Sequence, residues 1–192
     1  MGHGYSLVEL VFAAGLVATL ASVAVARIDI ALDELRTAGA TRYVATRLQQ
    51  VRMEAVARNA DVALRVTSDG PSFIYAMYVD GNRNGVRSLD IQRGLDRRTS
   101  REERLRDQFP GVDFAITPGL PPVDAASGPP GSDPIRLGAG NMATFTAQGT
   151  ATTGSLYIRG PRNVQYVVRI FGETGKTRIL KFDARGRVWK PL

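Results

Sequence analysis

The chain has 192 residues, no cysteine and one histidine, and its 25 Lys and Arg outnumber its 18 Asp and Glu by a net charge of +7. Without thiols, a disulfide framework, a Cys-ligated metal and a thiol nucleophile are excluded. The histidine, His3, lies at the extreme N-terminus, and the rest of the chain therefore offers no Ser–His chemistry and no His-ligated metal. We expect no enzyme, no cofactor and no metal site.

The net charge is confined to the end of the chain. Residues 156–192 contain nine Lys or Arg and two acidic residues, a balance of +7, so that residues 1–155 are neutral. Such an asymmetry indicates a polyanionic partner or an acidic protein surface.

The stretch from Tyr5 to Ala26 contains 22 residues and a single charge, Glu9. Because about 20 apolar residues of helix cross a bilayer, residues 5–26 are predicted to be a transmembrane segment. A lone carboxylate in a membrane helix is unfavourable unless it is paired with a positive charge. We therefore predict that Glu9 is functional and pairs with a cation from another chain.

Residues 4–10, Gly-Tyr-Ser-Leu-Val-Glu-Leu, together with this apolar run, resemble the processing site of type IV prepilins. The resemblance implies that residues 1–4 are a leader peptide and that a prepilin peptidase cuts after Gly4. Tyr5 would then become the methylated first residue. It further implies that Glu9 pairs with the terminal amine of a neighbouring subunit during filament assembly. The leader lacks Lys and Arg, and Tyr5 stands where Phe is usual in the family.

The helix is predicted to continue beyond Ala26. Residues 27–58 contain no Pro and one Gly, Gly39, and their apolar residues recur at intervals typical of one helical face. This pattern predicts one helix from about Tyr5 to Arg58, ended by residues 59–61, whose second half turns an apolar stripe toward a sheet. The stripe comprises Ile28, Leu32, Leu35, Ala40, Val44, Leu48, Val51 and Ala55.

The remainder of the chain is predicted to be mainly β-structure. A capping box at Ser100 and Glu103 predicts a short helix over residues 101–108, and the proline-rich residues 118–134 predict a surface loop. The fold class is therefore α+β, with the long N-terminal helix packed on an antiparallel β-sheet within a domain over residues 27–192. The predicted strands are 62–67, 73–79, 112–116, 135–137, 143–146, 155–159, 164–171, 177–182 and 187–189.

Residues 80–85, Asp-Gly-Asn-Arg-Asn-Gly, match the first half of a calcium-binding loop. The twelfth position, which should carry a bidentate Glu, is Ile91, and the cations Arg83 and Arg87 oppose calcium. A calcium site and a tight Asn/Gly turn after a strand are both open interpretations of this motif.

Three segments, residues 48–59, 78–85 and 145–157, resemble the GspH/FimT family of minor pilins and pseudopilins. The resemblance implies a bacterial inner-membrane subunit, single-pass, with its C-terminal domain in the periplasm. Such a subunit would join other minor pilins or pseudopilins and help to initiate and cap a type II secretion pseudopilus or a type IV pilus.

Some members of this family bind DNA through a basic Gly-Arg-x-Arg near the C-terminus, where this chain has Trp189 in place of the second Arg. Trp189 could stack on a base or simply pack. Contacts from Lys and Arg to phosphates would give salt-sensitive binding that tolerates any sequence. DNA uptake, an acidic protein or lipid partner, and a solvated face all stay open here. The candidate DNA-binding residues are Lys176, Arg178, Lys181, Arg185, Arg187 and Lys190.

Overall fold

A computed structural model describes residues 6–125, 127–138 and 140–192, without the side chains of residues 23–27. Its helices are α1 (Leu7–Arg58), α2 (Ser88–Gln92) and α3 (Leu105–Gln108), and a 3-10 turn covers Pro161–Asn163. Its strands are β1 (Val62–Asp69), β2 (Ser72–Val79), β3 (Arg97–Arg98), β4 (Glu103–Arg104), β5 (Asp113–Phe114), β6 (Ile135–Arg136), β7 (Met142–Phe145), β8 (Gly154–Arg159), β9 (Gln165–Phe171), β10 (Lys176–Asp183) and β11 (Val188–Pro191).

The long N-terminal helix is confirmed as a single element. Helix α1 begins after its N-cap, Ser6, and ends at Asn59, whose left-handed backbone (φ 48°) stops the helix. The amide of Asn59 donates to the carbonyls of Ala55 and Val56, which satisfies groups that a helix end leaves unpaired. The predicted leader peptide, residues 1–4, and the predicted first mature residue, Tyr5, lie outside the described residues.

The membrane segment predicted over residues 5–26 is not borne out. Among the residues that the structure describes, no helix is both long enough and apolar enough to cross a membrane. The predicted segment includes Tyr5 and the side chains of residues 23–26, which lie outside the described part of the chain.

The strands form two antiparallel sheets, which confirms the α+β class. The first sheet has the order β3-β2-β1-β7, and β4 also pairs with β2. The second sheet has the order β11-β10-β9-β8-β5, and β6 also pairs with β8. In the first sheet, β1 and β2 are joined by the two-residue turn Gly70-Pro71, and they pair from Val62 opposite Val79 to Asp69 opposite Ser72.

The C-terminal half of α1 packs against both sheets and encloses the main core with them. The stripe residues Ala40, Val44, Leu48, Val51 and Ala55 are buried there, as predicted. The prediction is wrong for the first part of the stripe, because Ile28, Leu32 and Leu35 are exposed. In the described part of α1, burial begins at Asp33, where the sheets first reach the helix.

A close backbone approach fixes this first contact between α1 and the second sheet. Thr37 is fully buried, and its hydroxyl donates to the carbonyl of Asp33 at 2.6 Å. A Cβ atom added to Gly160, which follows β8, would lie 1.9 Å from Thr37 Oγ1. Only glycine therefore lets the chain after β8 lie directly against α1.

Tertiary contacts override the helix predicted over residues 101–108. The hydroxyl of Ser100 accepts a hydrogen bond from the amide of Met77 at 2.9 Å, so that it does not cap a helix. Glu103 and Arg104 pair with β2 instead, and only Leu105–Gln108 is helical. The predicted strand 112–116 shortens to Asp113–Phe114, and helix α2 was not predicted.

The other predicted strands are confirmed within one or two residues, including the hairpin of β9 and β10 and the last strand, β11. The described residues of 118–134 contain no helix or strand, in agreement with the predicted loop.

Candidate functional site

The N-terminus of α1 is closed by a reciprocal pair of hydrogen bonds between Ser6 and Glu9. The hydroxyl of Ser6 accepts from the Glu9 amide at 3.2 Å, and Glu9 Oε2 accepts from the Ser6 amide at 3.3 Å. This is a capping box, which satisfies two backbone donors at the helix end. Glu9 is exposed and forms no ion pair within the described residues. Its carboxylate therefore keeps lone pairs that a cation from another molecule can engage.

The first part of α1 presents large apolar side chains that nothing in the described chain covers. Contiguous apolar surface of this kind marks an interaction site on a folded protein. We call this surface the N-terminal apolar surface; it comprises Leu7, Val8, Leu10, Val11, Phe12, Leu16, Val17 and Leu20, all exposed.

The six candidate DNA-binding residues do not form one site. Lys181 lies on the side of β10 that faces α1 and pairs with Glu34, and this hydrogen bond raises the pKa of Lys181. Lys190 Nζ lies 2.5 Å from an oxygen of Asp183 and lowers the pKa of that carboxyl. Two positive charges of the group are thus engaged within the chain.

The other four candidates are exposed but lie at two places on the second sheet. Lys176 and Arg178 lie near the start of β10, and Arg185 and Arg187 lie in the turn between β10 and β11. Arg187 Nη2 also donates to the carbonyl of Gly119 at 3.3 Å. DNA capture by this region stays a prediction.

Trp189 packs rather than presenting a free face. Its ring lies 5.3 Å from the ring of Phe182 and 6.0 Å from that of Tyr157, measured between centroids. Its indole nitrogen donates to the carbonyl of Pro121 at 3.0 Å. Trp189 thus closes a small second core, on the side of the second sheet away from α1, beneath the proline-rich loop.

The motif at residues 80–85 is a hydrogen-bonded turn. One oxygen of Asp80 accepts from the amides of Asn82 at 3.0 Å and Arg83 at 2.8 Å, and the other accepts from the amide of Gly85 at 2.7 Å. Asp90 accepts from the side-chain amide of Asn84 at 3.1 Å. In the part of the chain that the structure describes, no three or more His, Cys, Asp or Glu residues are grouped so that they could hold a metal ion. The geometry favours the tight turn over calcium.

One polar cluster was missed by sequence reasoning. Tyr43 and Arg47, one turn apart on α1, bind the carboxylate of Glu103 in β4, and the Tyr43 hydroxyl lies 2.5 Å from Glu103 Oε2. Burial alone would raise the pKa of Glu103, but the hydrogen bonds and charge of Arg47, with the Tyr43 hydroxyl, lower it. The cluster fastens α1 to the edge of the first sheet, and no local pattern links residues so far apart in the chain.

A long helix whose C-terminal half packs on two antiparallel sheets, and whose apolar N-terminal part is uncovered, defines the architecture of a pilin-like subunit. The family model described as "Type II transport protein GspH" matches residues 40–175. The match covers more than half of the chain, and the chain therefore belongs to the GspH family. A search of curated proteins and a search of solved structures each found no match.

Family membership gives the chain a general role as a pseudopilin of type II secretion, associated with other pseudopilins. Pseudopilins of this family are structural components rather than enzymes. The matched residues include α1 from Ala40 to its end and extend to the turn before β10. Glu9 and most of the basic C-terminal residues lie outside the match.

Proposed function

We propose that this chain is a minor pseudopilin that helps to initiate and cap the type II secretion pseudopilus. It would be held at the bacterial inner membrane, with its two sheets in the periplasm, and would support the export of folded proteins. The observation that carries the proposal is the division of α1 into a packed half and the uncovered N-terminal apolar surface.

The dimensions of α1 suit such a role. At 1.5 Å per residue, the part from Leu7 to Leu32 extends about 40 Å beyond the first contact with the sheets. Burying each large apolar side chain of the N-terminal apolar surface contributes about 1.5–3 kcal/mol. This surface would therefore favour the apolar interior of the membrane, or packing against the apolar helices of other pseudopilins, over exposure to water.

The processing chemistry completes the proposal. A prepilin peptidase would hydrolyse the peptide bond between Gly4 and Tyr5, and the freed amine of Tyr5 would then accept a methyl group from a methyl donor. Glu9 would then lie four residues from the new terminus, at the edge of the N-terminal apolar surface. There its carboxylate could receive the terminal amine of a neighbouring subunit, because a charge among packed apolar helices needs an opposite charge.

Deletion of the gene from its host tests the proposed function. We expect folded type II cargo to disappear from the culture medium and to accumulate in the periplasm, and a plasmid copy of the wild-type gene to restore export. Pseudopilus number, counted after overproduction of the major pseudopilin, should fall in the same strain. Undiminished cargo export from the deletion strain would contradict the proposal.

A further inference from the structure

The connection from β2 to β3, residues 80–98, forms a compact structure at the end of the first sheet where α1 ends. We call it the distal loop. The amide of Asp80 donates to the carbonyl of Asp61, just beyond the C-cap of α1, at 2.9 Å. Since α1 is 52 residues long, the distal loop lies at the opposite end of the molecule from Glu9.

The acidic residues of the distal loop are turned inward. Asp80, Asp90 and Asp96 are all buried. One oxygen of Asp96 accepts from the amide of Gly81 at 3.1 Å, and the other accepts from the amide of Arg87 at 2.9 Å. Together with the hydrogen bonds of Asp80 and Asp90 given above, these contacts hold the backbone of the loop in place. The carboxylates therefore stabilise the loop from its interior and are not exposed at its surface.

The arginines of the distal loop are exposed to solvent. Arg83, Arg87, Arg93 and Arg97 are exposed, and none of them forms an ion pair in the ranges that the structure describes. Arg98, the remaining arginine of the loop, pairs with Glu102. Residues 80–98 contain five Arg and three Asp. Because the three carboxylates are buried, every exposed charge of the loop is a guanidinium group.

Two exposed leucines lie among these arginines. Leu89 is 52% exposed and Leu95 is 45% exposed. Arginine and apolar side chains side by side are typical of surfaces that bind other polypeptides. Single-stranded nucleic acid would call for aromatic side chains to stack on its bases, and residues 80–98 contain no Phe, Tyr or Trp. A lipid surface at the N-terminal end of α1 would be remote from the loop.

We propose that the distal loop binds an acidic segment of a partner polypeptide. Carboxylates of the segment would form bidentate pairs with the exposed arginines, and its apolar side chains would cover Leu89 and Leu95. This inference stands on the charge and exposure of residues 80–98 and does not depend on the role of α1 in filament assembly.

The test uses the full chain in a neutral maltoside detergent and a fluorescent synthetic peptide of alternating Glu and Leu, with binding followed by fluorescence anisotropy. We expect binding at low salt that weakens as salt rises. The triple variant Arg87→Gln/Arg93→Gln/Arg97→Gln should bind at least about tenfold more weakly, since three ion pairs are removed together. The variant Leu89→Ser/Leu95→Ser should also bind more weakly.

The matched control is Lys176→Gln/Arg178→Gln/Arg185→Gln, which removes three exposed cations from the second sheet and should leave the affinity unchanged. The inference is overturned if the peptide does not bind at low salt, or if the control variant loses as much affinity as the distal-loop variant. It is also overturned if a peptide of alternating Glu and Ser binds equally well. Tighter binding of a single-stranded DNA or of anionic phospholipid vesicles through the same arginines would likewise reject a polypeptide partner.

Discussion

Replacing Glu9 with alanine is expected to abolish incorporation of the chain into the pseudopilus while leaving its cellular amount and its proposed membrane association unchanged. In the filament, Glu9 would lie among packed apolar helices, where an unpaired charge is strongly unfavourable. No ion pair to Glu9 is found within the described residues, and the pairing group that we propose is the terminal amine of a neighbouring subunit. Alanine removes that pairing, and the neighbour's terminal amine is then left buried without a partner, which blocks docking.

Two further variants separate charge pairing from helix capping. Glu9→Gln keeps a side-chain oxygen that can accept from the Ser6 amide but loses the charge, and we expect it to fail like alanine. Ser6→Ala removes the hydroxyl half of the capping box, at a cost of about 1 kcal/mol in helix stability, and should still assemble.

The matched control for Glu9 is Asp29→Ala, which removes an exposed acid from the same helix and should behave as the wild type. The measurement is an immunoblot of sheared pseudopili against the whole-cell amount. Wild-type incorporation of Glu9→Gln would mean that capping, and not charge, is what Glu9 supplies.

Leu48→Ala is expected to lower the free energy of unfolding by about 3 kcal/mol. Leu48 is fully buried where α1 packs against both sheets, and truncation leaves a cavity that a helix held on two sides cannot close. The midpoint of urea unfolding should fall by about 1–2 M. Fluorescence of Trp189, the only tryptophan, reports the transition from the second core.

The control for this substitution lies on the same helix. Met53 is 63% exposed, and Met53→Ala should change the free energy of unfolding by less than about 0.5 kcal/mol. Equal midpoints for the two variants would show that the packing of α1 against the sheets is wrongly assigned.

The elements that sequence predicts well have local causes. The spacing of apolar residues and the absence of proline determine the extent of α1, and Asn59 ends it with a left-handed backbone. The turn at Gly70-Pro71 separates two strands of suitable length and composition, so that β1 and β2 could be placed within two residues. Each of these signals lies inside one segment of the chain.

The errors arise where distant segments decide the outcome. Leu35 and Leu48 belong to the same predicted stripe, yet only Leu48 is covered. Near Leu35, the face of α1 that packs on the sheets carries Asp33, Thr37 and Thr41 instead. Ser100 matches a capping motif, but β2 takes its hydroxyl.

The same reason limits what charge counting can say about the candidate sites. Lys181 was assigned to a DNA-binding group, but Glu34, far away in sequence, neutralises it. In the sequence of the distal loop, three acids offset part of the charge of five arginines, whereas the fold buries the acids and leaves the arginines exposed.

Disulfide crosslinking along α1 tests the central claim, that the N-terminal apolar surface is the assembly interface with other pseudopilins. The chain has no cysteine, so that Leu20→Cys introduces the only thiol, at an exposed position of that surface. Host cells would also carry another pseudopilin with one cysteine at the matching helix position. Oxidation should give a heterodimer that is lost when Glu9→Ala is added and is not formed by a Ser127→Cys control. Absence of this heterodimer, or an equal yield from Ser127→Cys, would contradict the account.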